Sequence, residues 1–144
     1  MNLLPTVVRL VDIRDTPLSV DEVVAAVSDA AAGGLTLFVG AVRDHDENKS
    51  VTALEYVAHP SALEQLTEVT EQVAKEYDVL AVAAVHRVGR LEIGDTAVIV
   101  ATAAPHRGEA FEASRELIDR LKHRVPIWKH QLFTDGSDEW VGTP

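Results

Sequence analysis

The apolar positions of the chain follow two periods. Residues 6–13 are rich in Val, Leu and Ile and read as a strand. Val20, Val23, Val24, Val27, Ala30 and Ala31 then recur at helical spacing behind Ser19 and Glu22, a capping-box pattern that starts a helix. Gly33-Gly34 is expected to end it. A phosphate-binding loop is excluded at these glycines because no Lys-Ser/Thr pair follows. Residues 35–42 are apolar without a break and predict a strand buried on both faces, delivering Arg43 into a polar, mobile loop over residues 44–50.

Residues 51–57 form the next predicted strand. His59-Pro60 opens a second helix, with Pro60 suited to its first turn and Leu63, Leu66, Val73 and Tyr77 facing the core. Residues 79–85 and 97–104 are two more strands, and the segment 89–95 between them, with two glycines, fits a small hairpin. Pro105-His106-Arg107-Gly108 leads into a third helix with Ala110, Phe111, Leu117, Ile118 and Leu121 on its buried side. Residues 127–133 are the last long strand, and Asp135-Gly136 makes a turn. The order β-α-β-β-α-β-β-α-β lacks regular βαβ alternation. It predicts an α+β fold, with helices packed on a mixed or antiparallel sheet. No repeat or linker divides the 144 residues, which read as one domain, 1–144.

Composition narrows the chemistry. The chain has no cysteine, which removes disulfides, thiolate metal sites and cysteine nucleophiles together. No apolar run approaches the ~20 residues of a bilayer span. Met1–Pro5 lacks a basic region followed by an apolar core, so no secretory signal is expected and the cytoplasm is the expected compartment. A net charge of −10 argues against nucleic acid as the main ligand. The six histidines show no metal-ligand spacing, the acidic residues 44–47 lack calcium-loop spacing, and neither a nucleophile elbow nor a Gly-rich dinucleotide loop is present. No metal and no cofactor is expected. His86, after an apolar strand, reads as a structural histidine.

Against that background, residues 115–130 are a cationic island, with five Lys/Arg against two acids. Lys122 and Lys129, two of the four lysines, flank Pro126, which cannot continue a helix and pushes Val125 out of helical geometry. Lys122 is therefore expected in the last helical turn and Lys129 in the following strand, with the turn folding both amines toward one place. The negative end of the helix dipole accounts for Arg120, His123 and Arg124 but not for Lys129. Pro105-His106-Arg107-Gly108 sits where a strand ends and a helix begins, a spot whose free N–H groups suit an anion, and Arg107 adds a bidentate donor. Arg43 also lies at a strand end. These cations form one pocket if their element ends share one side of the sheet.

Residues 40–45 (Gly-Ala-Val-Arg-Asp-His), 85–89 (Val-His-Arg-Val-Gly), 104–107 (Ala-Pro-His-Arg), 110–113 (Ala-Phe-Glu-Ala), and Leu121-Lys122 through Trp128-Lys129 resemble the large, catalytic subunit of molybdopterin synthase. The resemblance runs from about residue 35 to residue 141. The Lys122/Lys129 pair spaced around Pro-x-Trp is its most specific part. It implies a hammerhead-like α/β domain plus a small β subdomain. It also implies a sulfurtransferase of molybdenum cofactor biosynthesis, converting cyclic pyranopterin monophosphate to molybdopterin. The sulfur would come from the C-terminal Gly-Gly thiocarboxylate of a small ubiquitin-like subunit, within a heterotetramer built on a large-subunit homodimer. Carried over position by position, Lys122 and Lys129 match the catalytic lysines, and Arg43, His106 and Arg107 match the substrate pocket. His130 and Gln131 stand where many relatives have Arg-Glu and are possible pocket lining. Ala41 stands where many have lysine and is left out. The rival readings are a Schiff-base lysine lyase and a non-catalytic module that binds an anionic protein tail.

Overall fold

The computed structural model describes residues 6–142; Met1–Pro5, read above for a secretory signal, lie outside them. One sheet has the order β1-β5-β7-β2, where β1 is Val8–Arg14, β2 Gly34–Ala41, β5 Ala81–Arg87 and β7 Thr96–Ala104. β1 pairs with β5 in parallel and the other pairs are antiparallel, so the sheet is mixed, as expected for α+β. Every residue of Ala81–His86 and Ala97–Ala104 is buried. These central strands bury both faces because helices cover both. α1 (Val20–Val27) packs Val23 and Val27 on Ala81, Ala83, Val85 and Ile99. α2 (Ala62–Glu76) and α3 (Arg107–Arg124) cover the other face through Leu66, Val69, Val73, Leu117 and Leu121. Leu66 and Leu117 are fully buried, worth about 1.5–3 kcal/mol each in transfer free energy.

The second sheet has the order β3-β4-β8-β9, with β3 His45–Asp46, β4 Lys49–Ala58, β8 Ile127–Phe133 and β9 Asp138–Val141; β6 (Gly89–Glu92) pairs with β4. Segment 89–95 is thus not a hairpin of its own: its first half adds a strand to β4. Val42, Leu54, Leu91 and Ala97 form the cluster where the second sheet meets the first.

Several expectations need correction. α1 stops at Val27, and Gly33-Gly34 do not cap it. They are small because β2 starts beneath the entry to α3: a Cβ on Gly33 would lie 2.5 Å from the Pro105 carbonyl oxygen, and one on Gly34 3.0 Å from the Arg107 Cα. Ser19 caps α1 by accepting from the Glu22 N–H at 3.1 Å, but the Glu22 carboxylate turns to Arg14 instead of reaching back. The segment 44–50 is a hairpin, not a mobile loop. His45 pairs with Ser50 and Asp46 with Lys49, and Glu47 and Asn48 turn the chain at φ 49° and 69°. Leu63 and Phe111, read as core, are exposed. The largest difference is β2. It is an edge strand, and Leu35, Leu37, Phe38 and Val39 are all exposed, between 38% and 44%.

Candidate active site around Lys122 and Lys129

α3 buries Ala110, Ala113, Leu117 and Leu121 on one stripe and ends at Arg124, with Val125 as C-cap and Pro126 blocking continuation. Lys122 lies in the last turn as the sequence predicts. β8 leaves immediately after Pro126 and pairs antiparallel with β4, which sets Lys129 opposite Tyr56. Strand alternation sends Tyr56 and Lys129 to the face that looks toward α3. The two lysines then line one cavity of about 240 Å³ with Tyr56, His86, Leu121, Val125, Ile127, Val141 and Gly142.

The electrostatics follow from this placement. Part of the Lys122 surface stays open to solvent. Its amine is nonetheless held below the ordinary lysine pKa, first by burial and second by the positive charge of Lys129. Below them, His86 is pushed down to about 4, mainly by burial; the Arg87 carbonyl opposes the shift and Lys122 adds to it. The His86 ring meets Tyr56 edge-on, centroids 4.9 Å apart. Among the described residues no Asp or Glu lines this cavity, so none of them neutralises the two amines there.

A smaller cavity of about 50 Å³ adjoins it, lined by Ala41, Val42, Arg43, His45, Leu54, Tyr56, Lys129 and Gln131. Tyr56 and Lys129 belong to both, so Arg43 and Gln131 stand one side chain away from the lysine pair. Gln131 donates to the Asp46 carboxylate at 2.5 Å, and Arg43 lies 3.8 Å from the same carboxylate with its side chain largely exposed. The β3–β4 hairpin thereby ties Arg43 and Gln131 together.

The remaining candidates are not brought to this place within one chain. His130 follows Lys129 and so points to the other face of β8; it stacks on Trp140 at 4.3 Å and contacts Asp138 at 2.7 Å, lining neither cavity. His106 is the N-cap of α3 and Arg107 its first residue. Lys122 lies fifteen residues further along the helix, about 22 Å at 1.5 Å per residue. Arg107 therefore sits at the opposite end of the helix, where a cation opposes the dipole and makes no ion pair among the described residues. Tyr56 and His86 are the cavity residues that the sequence reading missed. The usable signal was parity, since an antiparallel partner of Lys129 on β4 must share its face.

Fold and cleft define a class first: an α+β domain whose paired, uncompensated amines suit an anionic substrate. The comparisons narrow it. A sequence model of the family described as "MoaE protein" matches residues 13–124. The chain is 47% identical over 131 residues to "Molybdopterin synthase catalytic subunit 1" of Mycobacterium tuberculosis, covering 90% of this chain and 88% of that one. It is 36% identical to the "Molybdopterin synthase catalytic subunit" of Bacillus subtilis over 91% of this chain and 83% of that one. Its structure is similar to that of molybdopterin synthase from Staphylococcus aureus, with a TM-score of 0.85 and 30% identity over 91% of this chain and 96% of that one. The chain belongs to the MoaE protein family, that of molybdopterin synthase catalytic subunits, and the sulfurtransferase reading of its sequence stands over the lyase and binding-module readings.

Proposed function

We propose that this cavity is where sulfur passes from the C-terminal thiocarboxylate of a small ubiquitin-like partner to cyclic pyranopterin monophosphate, in the cytoplasm. The observation that carries this reading is Lys122 beside Lys129 in a cavity that no Asp or Glu among the described residues lines, with the Lys122 amine below its ordinary pKa. Two cations hold the anionic tail and phosphate, and a lysine whose pKa is lowered can also move protons. Lys122 takes the proton-transfer role: the thiocarboxylate sulfur attacks a substrate carbon, whose C–O bond breaks with the oxygen leaving protonated, and water then attacks the tail's acyl carbon, breaking the acyl–sulfur bond to leave the sulfur on the substrate and a carboxylate on the tail. Lys129 positions the substrate. Arg43 and Gln131 approach it from the adjoining cavity.

His106 and Arg107 complete the site from a second copy of the chain. β2 offers an unpaired edge and four exposed apolar side chains, a surface that single chains in solution rarely leave open. Pairing two copies antiparallel along this edge, about a twofold axis, sets the start of one β2 beside the end of the other. The start carries Arg107, against Gly34, and the end leads to Arg43 and Lys129. A homodimer of this kind, with one small subunit on each copy, is the heterotetramer that the family resemblance implies.

The test is a mixing experiment. Lys122→Ala and Arg107→Ala chains are dissociated together, reassembled and assayed at a pyranopterin concentration well below the KM of Arg107→Ala, where each alone is nearly inactive. Half the dimers are then mixed, and each mixed dimer has one intact site of two, so about a quarter of wild-type sulfur transfer returns. Full inactivity of a mixture shown to contain mixed dimers would place Arg107 and Lys122 in separate roles and sink the shared site.

A further inference from the structure

β5 carries His86 into the wall of the 240 Å³ cavity, where the residue is only 2% exposed. Its Nδ1 lies 2.7 Å from the backbone carbonyl of Arg87. A carbonyl only accepts, so Nδ1 carries the hydrogen and donates it there. The ring is neutral near pH 7, with its pKa down at about 4. Nε2 is then a bare acceptor. It has no hydrogen-bond partner among the described residues, and it is not sealed off as the Arg87 Nε is. The edge-on contact with Tyr56, at an interplanar angle of 82°, fixes the ring plane.

The other residues with polar side chains that line the cavity are Lys122 from α3, Lys129 from β8 and Tyr56 from β4. The ammonium groups only donate, and the hydroxyl can do either. A ligand made of acceptors alone would satisfy the lysines and leave His86 Nε2 desolvated and unpaired, which costs affinity. The cavity is therefore matched to a molecule with acceptor oxygens on one side and an N–H donor on another.

We propose that His86 is a specificity residue: its Nε2 accepts a hydrogen bond from a ring or amino N–H of a nitrogen heterocycle bound between it and the two lysines. The identity of that heterocycle as a reduced pterin rests on the function proposed above. A pterin ring carries amino and ring N–H groups beside its carbonyl, so the lysine pair and the imidazole read different edges of one molecule.

The test compares wild type, His86→Asn and His86→Gln in sulfur transfer to cyclic pyranopterin monophosphate, using the full chain with thiocarboxylated partner. Asparagine retains an N–H near the Nδ1 position for the Arg87 carbonyl and removes the acceptor. Glutamine restores an oxygen near the Nε2 position. His86→Asn is expected to raise KM roughly three- to tenfold at constant kcat. The factor should be the same across pH 6 to 9, because His86 does not titrate there. His86→Gln should return KM to within about twofold of wild type, which a merely structural role would not produce. An unchanged KM in His86→Asn overturns the proposal. So does a fall in kcat at constant KM with a displaced pH profile, since Nε2 would then serve Lys122 rather than the ligand. A second measurement needs no variant. In nitrogen-15 spectra of the wild-type chain, the His86 Nε2 resonance should move upfield when the pyranopterin, or pterin itself, is titrated in; a resonance that stays in place at saturation overturns the proposal. A wild-type chain that binds pterin through His86 but transfers no sulfur would refute the proposed function and leave this inference standing.

Discussion

Replacing Lys122 with arginine separates charge from proton transfer at the site. Arginine preserves the cation in the last turn of α3, where the helix dipole favours it, so the fold should tolerate the change. What it removes is the neutral amine. An ordinary arginine titrates about two pH units above an ordinary lysine at 10.5, so the neutral fraction at pH 7 falls by at least about a hundredfold. Burial and Lys129 hold Lys122 below 10.5, which widens the gap. If the neutral amine is the reacting form, the barrier rises by at least about 2.7 kcal/mol. The assay is single-turnover sulfur transfer with pre-thiocarboxylated partner, from pH 6 to 10. The wild-type rate should climb tenfold per pH unit and level off below the ordinary lysine value, at the Lys122 pKa. Lys122→Arg should start more than a hundredfold lower at pH 7 and still be climbing at pH 10, while Lys122→Ala is equally poor without the climb. Partner binding should be unchanged. A Lys122→Arg rate within tenfold of wild type at pH 7 would refute proton transfer by this residue and leave it a charge.

Lys129→Gln removes the second cause of the Lys122 depression, so the levelling point of the same profile should move to higher pH and the rate at pH 7 should drop; Lys129→Arg, which keeps the charge, should cost less than Lys122→Arg. Arg107→Ala should raise the pyranopterin KM about ten- to a hundredfold, as expected for a lost charge-assisted hydrogen bond, with no loss of melting temperature because the cation opposes its helix dipole. His86 titrates near its ordinary 6.5 when unfolded and at about 4 when folded, so the unfolded chain binds the proton first and stability falls as pH drops through that window. Its share is about 3 kcal/mol. Urea unfolding at pH 7 and pH 4.5 should show a loss that His86→Asn largely removes, and an identical loss in the variant would mean the ring titrates normally.

The lysine pair was legible because a single local event positions it: Pro126 ends α3 and starts β8, and the elements on either side of that break each carry one of the two lysines. Strand and helix order came from periodicity for the same local reason. What failed was whatever depends on a surface outside the segment. An unbroken apolar run at residues 35–42 says that water is excluded from both faces but not by what, and β2 proves to be an edge strand whose Leu35, Leu37, Phe38 and Val39 no described residue covers. Phe111 and Leu63 failed likewise: they are apolar at roughly the right spacing but open to solvent. The hairpin at 44–50 carried no Asn-Gly or Asp-Gly signal, because Glu47 and Asn48 supply the positive φ. Two separations within one chain were legible as well: alternation along β8 puts His130 on the opposite face from Lys129, and the length of α3 puts Arg107 far from Lys122.

β2 acts as a ruler. Its eight residues span about 26 Å at 3.3 Å each, with Arg107 packed against one end through Gly34 and Arg43 just beyond the other. Backbone meets backbone at the Gly34 end, leaving no side chain whose repacking could absorb an error. In the proposed dimer the register between two such strands is then also the distance between two halves of one catalytic apparatus. A slip of two residues leaves every apolar side chain on its proper face and the fold intact, yet shifts one copy's Arg107 by about 7 Å from the other's lysines. In that dimer, selection on the exposed edge of β2 is selection on turnover. Substitutions there can abolish activity in a chain that melts, elutes and binds its small partner like the wild type.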